Sequence, residues 1–402
     1  MTDQATRDGI DTAFAKGDNA EGLRLLREFT ESDQADAEAW HRLANVEEQI
    51  GSWARAGYAH HQCIQLAPDN PLAYLYAGAW LQKSNQPEAA AAVYSLLQDL
   101  NPRLLNDPRA GNANQQTALR ARLANHHLRT FLSAQHRQLF STERRSSRAA
   151  RAKWTRTHDL PISHFSDQFA PELFYVPDLE QKPWFNASEF DWSAILESRG
   201  DQIRAELHQA LNEHAEQLGI RPYLGIEEQY QDNLGLLAGS SNWSAIDLFR
   251  DGEPNTSLSE LFPVTLETIQ HAPTYGLDDQ PYEVFFSMLA PGCSIEPHFG
   301  LSNHSLTCHL GIDIPNRGFL EVAGEKRAWQ ANRLLAFDDS YLHSAHNASA
   351  QRRIVLIFSI WHPSLTEEER AEIQRAFKTR QIWMAARREQ LQLLLPEHRH
   401  PN

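Results

Sequence analysis

Cysteine is scarce. The 402-residue chain holds three, Cys63, Cys293 and Cys308, widely separated and in no metal-finger spacing. They exclude a disulfide framework and a zinc ribbon, and they suit a reducing compartment. Positive charge is also short, with 37 Lys and Arg against 52 Asp and Glu and a net charge of −15. Such a field repels phosphate backbones and excludes nucleic acid as a partner. Long apolar runs are missing too. The longest, "IVLIFSIW" at 354–361, has the length of a buried strand and cannot span a bilayer. The opening residues "MTDQATRDGIDTAF" carry neither a basic region nor an apolar one, so no secretory leader is expected. A cytoplasmic protein without a membrane span is the expectation. Hydrophobic residues at 41% and charged residues at 22% are ordinary for globular domains, and the length predicts two or three of them.

What is present begins with a repeat. "AEAWHRLANVEEQIGSWARAGYAHHQCIQLAPDN" aligns with "PLAYLYAGAWLQKSNQPEAAAAVYSLLQDLNP" at an offset of 34, placing Trp40 on Tyr74, Ala56 on Ala90, Leu66 on Leu100 and Pro68 on Pro102. The same step backwards carries Gly51 to Gly17 and Ala56 to Gly22. Small residues there let paired helices approach closely, and the prolines end each pair. The pattern resembles a tetratricopeptide repeat over residues 1–104. An unrelated helical bundle is the bland alternative, which a shared offset at this many positions disfavours. A concave repeat surface also offers a site for a protein partner.

Residues 105–158 read as a helical connector ending in a basic cluster of Arg144, Arg145, Arg148, Arg151, Lys153 and Arg156. An anionic partner is one reading. A solvated helix face that complements the chain's own acidic surface is the preferred one. From 159 to 402 the pattern changes. Helical segments around "FDWSAILESRGDQIRAELHQAL" and "SLTEEERAEIQRAFKTRQIWMAARREQLQLLL" flank short β-rich runs with turn signals at even spacing. That spacing predicts an antiparallel sandwich or barrel.

Histidine is plentiful, at 19 copies. A lone histidine in a strand is more often structural than a ligand, so the order of the set carries the weight. Ser287 is followed by His298 with Gly300, His309, His343 after "AFDDS", Arg353 and "WHP". In "EPHFG" glycine stands where an iron oxygenase with two histidines and one carboxylate would place its acid.

The run from "FFSMLAPGCSIEPHFG" through "LTCHLGIDIP" to "LLAFDDSYLHSAHNASAQRRIVLIFSIWHP", with "QKPWF" and "SNWSAIDLF" upstream, resembles the aspartyl/asparaginyl β-hydroxylase family. The resemblance covers about residues 160–370. It implies an α+β multidomain protein: a helical-repeat solenoid, then a double-stranded β-helix (jelly-roll or cupin-like) core flanked by helices. It further implies an Fe(II)- and 2-oxoglutarate-dependent dioxygenase that hydroxylates an unactivated C–H, such as the β-carbon of an Asp- or Asn-like residue in a peptide or protein. Family members hold the metal with two histidines and glycine at the acid's place, so His298 and His343 match the ligands and Gly300 the glycine. His346, in "SAHNAS", reads as a turn. His343 is preferred because it follows "FDDS" and lies ten residues before Arg353, the family's spacing. Arg353, Ser287 and His309 match the cosubstrate-binding positions, and Trp243 a substrate-pocket aromatic. Strand alternation sends Arg352 to the opposite face.

Two positions depart from the family's animal members. Phe285 and Thr307 replace basic residues placed to meet acidic groups, which disfavours an acidic peptide. Two alternatives stand beside the leading reading. One keeps the chemistry on a free or carrier-bound amino acid or a lipid-linked acyl chain. The other is an inactive helical-repeat scaffold, against which the joint presence of His298, His343, Arg353 and Ser287 argues.

Overall fold

The computed structural model describes residues 3–106, 114–159, 165–225 and 237–396. They divide into two compact units. One holds the chain to His136, Thr157–Asp159 and the chain from Thr379; the other holds Arg137–Arg156 and the chain up to Lys378. This division departs from the partition at 104 and 158. The long helix Gln115–Gln138 lies almost entirely within the repeat-bearing unit, and so do the last described residues.

In the helical unit, α1 (Asp3–Ala15), α2 (Asn19–Thr30), α3 (Ala37–Gln49), α4 (Trp53–Leu66), α5 (Pro71–Lys83) and α6 (Pro87–Leu100) form three successive pairs. First helices start at 3, 37 and 71 and second helices at 19, 53 and 87, each a step of 34. Local chemistry sets the starts. Asp36 and Asn70 cap the N–H groups of Ala39 and Leu72, and Pro71 and Pro87 occupy first-turn positions where no amide donor is needed. Gly22, Ala56 and Ala90 are buried, as close helix approach requires. The same core takes in Trp383, Leu391 and Leu394 from the C-terminal segment. A Cβ on Gly57 would come within 2.7 Å of the Leu394 carbonyl oxygen, so only glycine admits that backbone.

Among the described residues, the strands of three or more residues in the second unit are β1 (Trp243–Arg250), β2 (Val284–Leu289), β3 (Ser294–His298), β4 (Ser305–Asp313), β5 (Gly318–Val322), β6 (Glu325–Arg327), β7 (Leu334–Phe337), β8 (His343–Asn347) and β9 (Arg353–Trp361). One sheet has the order β6-β5-β8-β3. The larger contains β7-β4-β9-β2-β1, with Trp184–Phe185 beyond β7. From β2 to β5 each strand switches sheet, and β7, β8 and β9 alternate again, with all pairings antiparallel. This is the double-stranded β-helix, an eight-strand jelly roll with β1 added at one edge.

Strand alternation separates two cores. Phe286, Met288, Leu310, Leu356 and Phe358 face a layer that includes helix residues Leu196, Ile203 and Leu207. Phe285, Leu289, Phe337, Ala345, Val355 and Ile357 face the interior between the sheets. Every residue of β9 is buried, which explains its unbroken apolar run.

The basic cluster is not a helix face. It lies in turns and a two-residue strand, Lys153–Trp154. Arg144 grips Glu372 through Nε and Nη2 at 2.8 and 3.0 Å, and Arg148 grips Glu369 at 2.8 and 2.6 Å. Arg151 pairs with Asp178, and Arg156 with Glu172. The cluster ties its own unit together.

Candidate active site

His298 ends β3 and His343 begins β8, directly opposite in register. Their ring centroids are 4.1 Å apart. The facing depends on a bulge: Ala345 pairs with Ile295 while His343 pairs with His298, so three steps on β3 match two on β8. The extra residue lets Ile295 and His298 face the interior together, which simple alternation forbids. Each ring is oriented by the chain beside it. His298 Nδ1 lies 2.8 Å from the Glu296 carbonyl, and His343 Nδ1 lies 2.9 Å from that of Tyr341. A carbonyl only accepts, so each Nδ1 carries the proton and each Nε2 keeps its lone pair. That tautomer is the one a metal-ligating histidine takes. Burial pushes the His343 pKa down to about 3, aided by His298, and lowers that of His298. Both rings are neutral at pH 7.

Among the described residues, no group of three or more His, Cys, Asp or Glu is arranged to hold a metal. The pair itself could offer a metal two imidazole nitrogens. At Gly300, two residues past His298, a Cβ would overlap the Asp339 carboxyl. The volume an acid at 300 would fill is already occupied.

His346 does not sit in a turn, as its sequence context predicts, but inside β8. Its two nitrogens are taken by Ser294 Oγ at 2.9 Å and Ser344 Oγ at 3.1 Å, and its ring stacks on Phe319. It points away from the pair.

Deeper in the interior lies Arg353, with 1% of its surface exposed. Its Nη1 donates to the carbonyl and Oγ of Ser287, both at 3.3 Å. Its guanidinium lies 4.8 Å above the Trp329 ring. Nε has no partner, and no carboxylate pairs with it among the described residues. Burial pulls its pKa down to about 9, so at pH 7 it is a charged, unneutralised fork. Arg352 reaches only the Met288 sulfur, at 3.9 Å. Trp243 Nε1 donates to Ser287 Oγ at 3.2 Å, so the aromatic matched to a substrate pocket also fixes the serine. Trp243 stacks on Tyr223 at 4.1 Å, and Tyr223 stacks on Phe285 at 5.1 Å, making one apolar wall.

His309 is buried on the inner face of β4. Trp329 Nε1 donates to its Nδ1 at 3.2 Å, which leaves the proton on Nε2 as a donor. Burial, Arg353 and His343 together hold its pKa well below the ordinary value. Thr307, two residues earlier, donates from Oγ1 to Asp339 Oδ2 at 3.1 Å. Burial and the neighbouring Asp338 raise the Asp339 pKa to about 8.

Trp329 and Asp339 escape the sequence reading. Trp329 lies in the irregular stretch "RAWQAN", where no period places it. Asp339 is visible only as half of "FDDS", which does not say which acid faces inward.

The architecture and its contents define a double-stranded β-helix domain with a histidine pair near an interior that holds one unneutralised arginine. Residues 197–363 match the family model described as Aspartyl/Asparaginyl beta-hydroxylase. Human aspartyl/asparaginyl beta-hydroxylase is 26% identical over 212 residues, 52% of this chain and 26% of that protein. Human aspartate beta-hydroxylase domain-containing protein 2 is 29% identical over 212 residues, 52% of this chain and 54% of that one. Mouse aspartate beta-hydroxylase domain-containing protein 1 is 40% identical over 95 residues, 23% of this chain and 26% of that one. The chain thus spans between a quarter and about half the length of these relatives. Among solved structures, a Pseudomonas putida prolyl-4-hydroxylase aligns at a TM-score of 0.26 and 11% identity, covering 43% of this chain and 100% of that one; the fold assignment rests on the strand order above.

Proposed function

We propose that this chain is an Fe(II)- and 2-oxoglutarate-dependent dioxygenase that hydroxylates an unactivated C–H in a peptide or protein substrate. The observation that carries the reading is Arg353. A guanidinium removed from water needs an anion, and this one has only two long bonds to Ser287 and an aromatic face. The distal carboxylate of 2-oxoglutarate is such an anion, planar and matched to the fork. Ser287 Oγ, held by Trp243 and Arg353, would share that carboxylate. His298 and His343 would hold the iron through Nε2. Bound iron with 2-oxoglutarate and dioxygen supplies the oxidation, giving succinate, carbon dioxide and a hydroxylated carbon.

The chain's own residues do the rest. The backbone carbonyls of Glu296 and Tyr341 fix the ligand tautomers, and the apolar interior excludes water. His309, with its proton on Nε2, would donate a hydrogen bond to the cosubstrate. Two neutral ligands bring no charge to the metal, so 2-oxoglutarate contributes much of its binding. The family relationship supports a hydroxylase. The repeats support delivery of an extended protein segment.

The test is an anaerobic titration of the full chain with Mn(II) and 2-oxoglutarate, followed by succinate release with Fe(II) in air. Metal binding that depends on both histidines, with succinate formation, is expected. Absence of 2-oxoglutarate binding in the presence of metal would refute the assignment.

A further inference from the structure

The helical unit holds a cation that no anion answers. His41, Tyr76 and Arg120 stand in the second turn of α3, of α5 and of the helix Gln115–Gln138, and they form one row across the three. The His41 and Tyr76 rings meet edge to face with centroids 4.4 Å apart, and the Arg120 guanidinium lies 4.3 Å over the same tyrosine. All three are half-buried. A guanidinium laid on an aromatic face keeps the edge of its fork free for a carboxylate. Among the described residues no carboxylate pairs with Arg120, and its own helix carries no acidic residue. The other cations of α3 and α5 are neutralised: Arg42 by Asp11 at 2.5 Å and Lys83 by Glu48 at 2.6 Å. Glu48 gives its second oxygen to His60 at 2.9 Å, so it has nothing left for Arg120.

The row also presents a neutral donor and an acceptor. Asn45 Nδ2 meets the His41 carbonyl and His41 Nε2, both at 3.0 Å. An amide nitrogen only donates, so His41 Nε2 accepts and Nδ1 carries the proton. Burial, with the charges of His60 and Arg120 behind it, pushes the His41 pKa down to about 4, which leaves the ring neutral at pH 7. Asn45, one turn on, keeps Oδ1 for a backbone N–H. Apolar side chains flank the row on both sides. Leu72, 39% exposed, lies one turn before Tyr76; Leu123, 57% exposed, lies one turn after Arg120, and Leu119, 58% exposed, one turn before Leu123. A small free anion would leave these three leucines in water. A chain segment with an acid between apolar neighbours would cover them.

We propose that this row is a docking site for an extended segment of a partner protein, in which an internal aspartate or glutamate meets the Arg120 fork and the His41 Nδ1–H while apolar residues on either side cover Leu72, Leu119 and Leu123. The site belongs to the helical unit and is independent of the oxidation assigned to the other one.

The test uses the immobilised full chain and two pools of short degenerate peptides with blocked ends, identical except for glutamate or glutamine at the central position. Retained peptides are sequenced by mass spectrometry, and the most enriched are titrated by fluorescence anisotropy. The glutamate pool is expected to be retained, with apolar residues enriched on both sides of the centre. Exchanging the central glutamate of an enriched peptide for glutamine should weaken binding at least tenfold, a change that leaves the chain untouched. Arg120→Gln, which keeps a good helix former, should weaken the glutamate peptide at least tenfold and its glutamine twin by less than about twofold. Leu123→Ser should weaken both several-fold. Arg122→Gln, on the far side of the same helix, should change neither. Retention of neither pool, or of both equally, overturns the proposal, as does undiminished binding to Arg120→Gln. Equal losses in Arg120→Gln and Arg122→Gln would mean diffuse attraction to a basic helix and also overturn it. Preferential retention of a pool with free C-termini would replace the internal acid by a chain end and overturn the proposal as well.

Discussion

Replacing Arg353 by lysine separates charge from geometry at the buried anchor. Lysine keeps a cation but cannot present two parallel N–H groups, so one charge-assisted bond is forfeited, about 1.5–3 kcal/mol. That corresponds to roughly tenfold to a hundredfold weaker 2-oxoglutarate binding. The assay is thermal unfolding of the Mn(II)-loaded full chain with and without 2-oxoglutarate. At a concentration 100 times the wild-type dissociation constant, the ligand should stabilise wild type by about 2.7 kcal/mol. A tenfold to hundredfold loss of affinity lowers that gain to roughly 0.4–1.4 kcal/mol by the same relation. Arg352→Lys, altering a side chain that reaches only the Met288 sulfur, is the control and should keep the full shift. Without ligand the sign changes. The wild-type apo protein carries a buried charge without an anion, so Arg353→Met should melt higher than wild type while losing all response to 2-oxoglutarate. Equal 2-oxoglutarate affinity in wild type and Arg353→Lys would refute the reasoning.

Three further outcomes are expected. His298→Ala and His343→Ala should each abolish Mn(II) binding and succinate formation, whereas His346→Ala, already satisfied by two serines, should keep most of both; a dead His346→Ala beside an active His343→Ala would reverse the ligand assignment. Trp329→Phe removes the only indole donor to His309 and frees its tautomer, so turnover should drop several-fold with metal affinity intact, read by steady-state kinetics beside metal titration. His304 is 1% exposed with neither ring nitrogen hydrogen-bonded, and burial pushes its pKa down to about 3. Between that value and the unfolded-state pKa near 6.5 only the unfolded chain takes the proton, so stability falls as pH drops through this window; His304→Phe should recover about 2–3 kcal/mol at pH 4.5, at 1.36 kcal/mol per unit, and an unchanged acid profile would exclude His304 as the cause.

Much was written locally. The step of 34 needs only recurring small residues and prolines, because each helix pair packs on its neighbour, and the helix starts keep that step from α1 to α6. The apolar run 354–361 announces a strand buried on both faces, and β9 is one. Alternation alone also puts Arg353 on the face of Val355 and Ile357 and turns Arg352 away. The relative order of His298, Gly300, His343 and Arg353 is a property of the chain, and it suffices for the family resemblance.

What the sequence could not decide depends on residues far apart along the chain. The histidines face one another only because of a bulge in β3, which period-two reasoning misses by one residue. His346 and His343 share a strand, and only the serines around His346 reveal which face it takes. Trp329 meets both His309 and Arg353 from the irregular connection between β6 and β7, whose path no periodicity predicts. The basic cluster looked like a helix face because its composition permits one, and carboxylates more than 200 residues away hold it otherwise. Short-range pattern is governed by backbone geometry and burial, so it can be read from neighbours in the chain. The partner of a buried polar group is chosen by the need to satisfy its charge or hydrogen bonds, and that choice exists only once the sheets have closed.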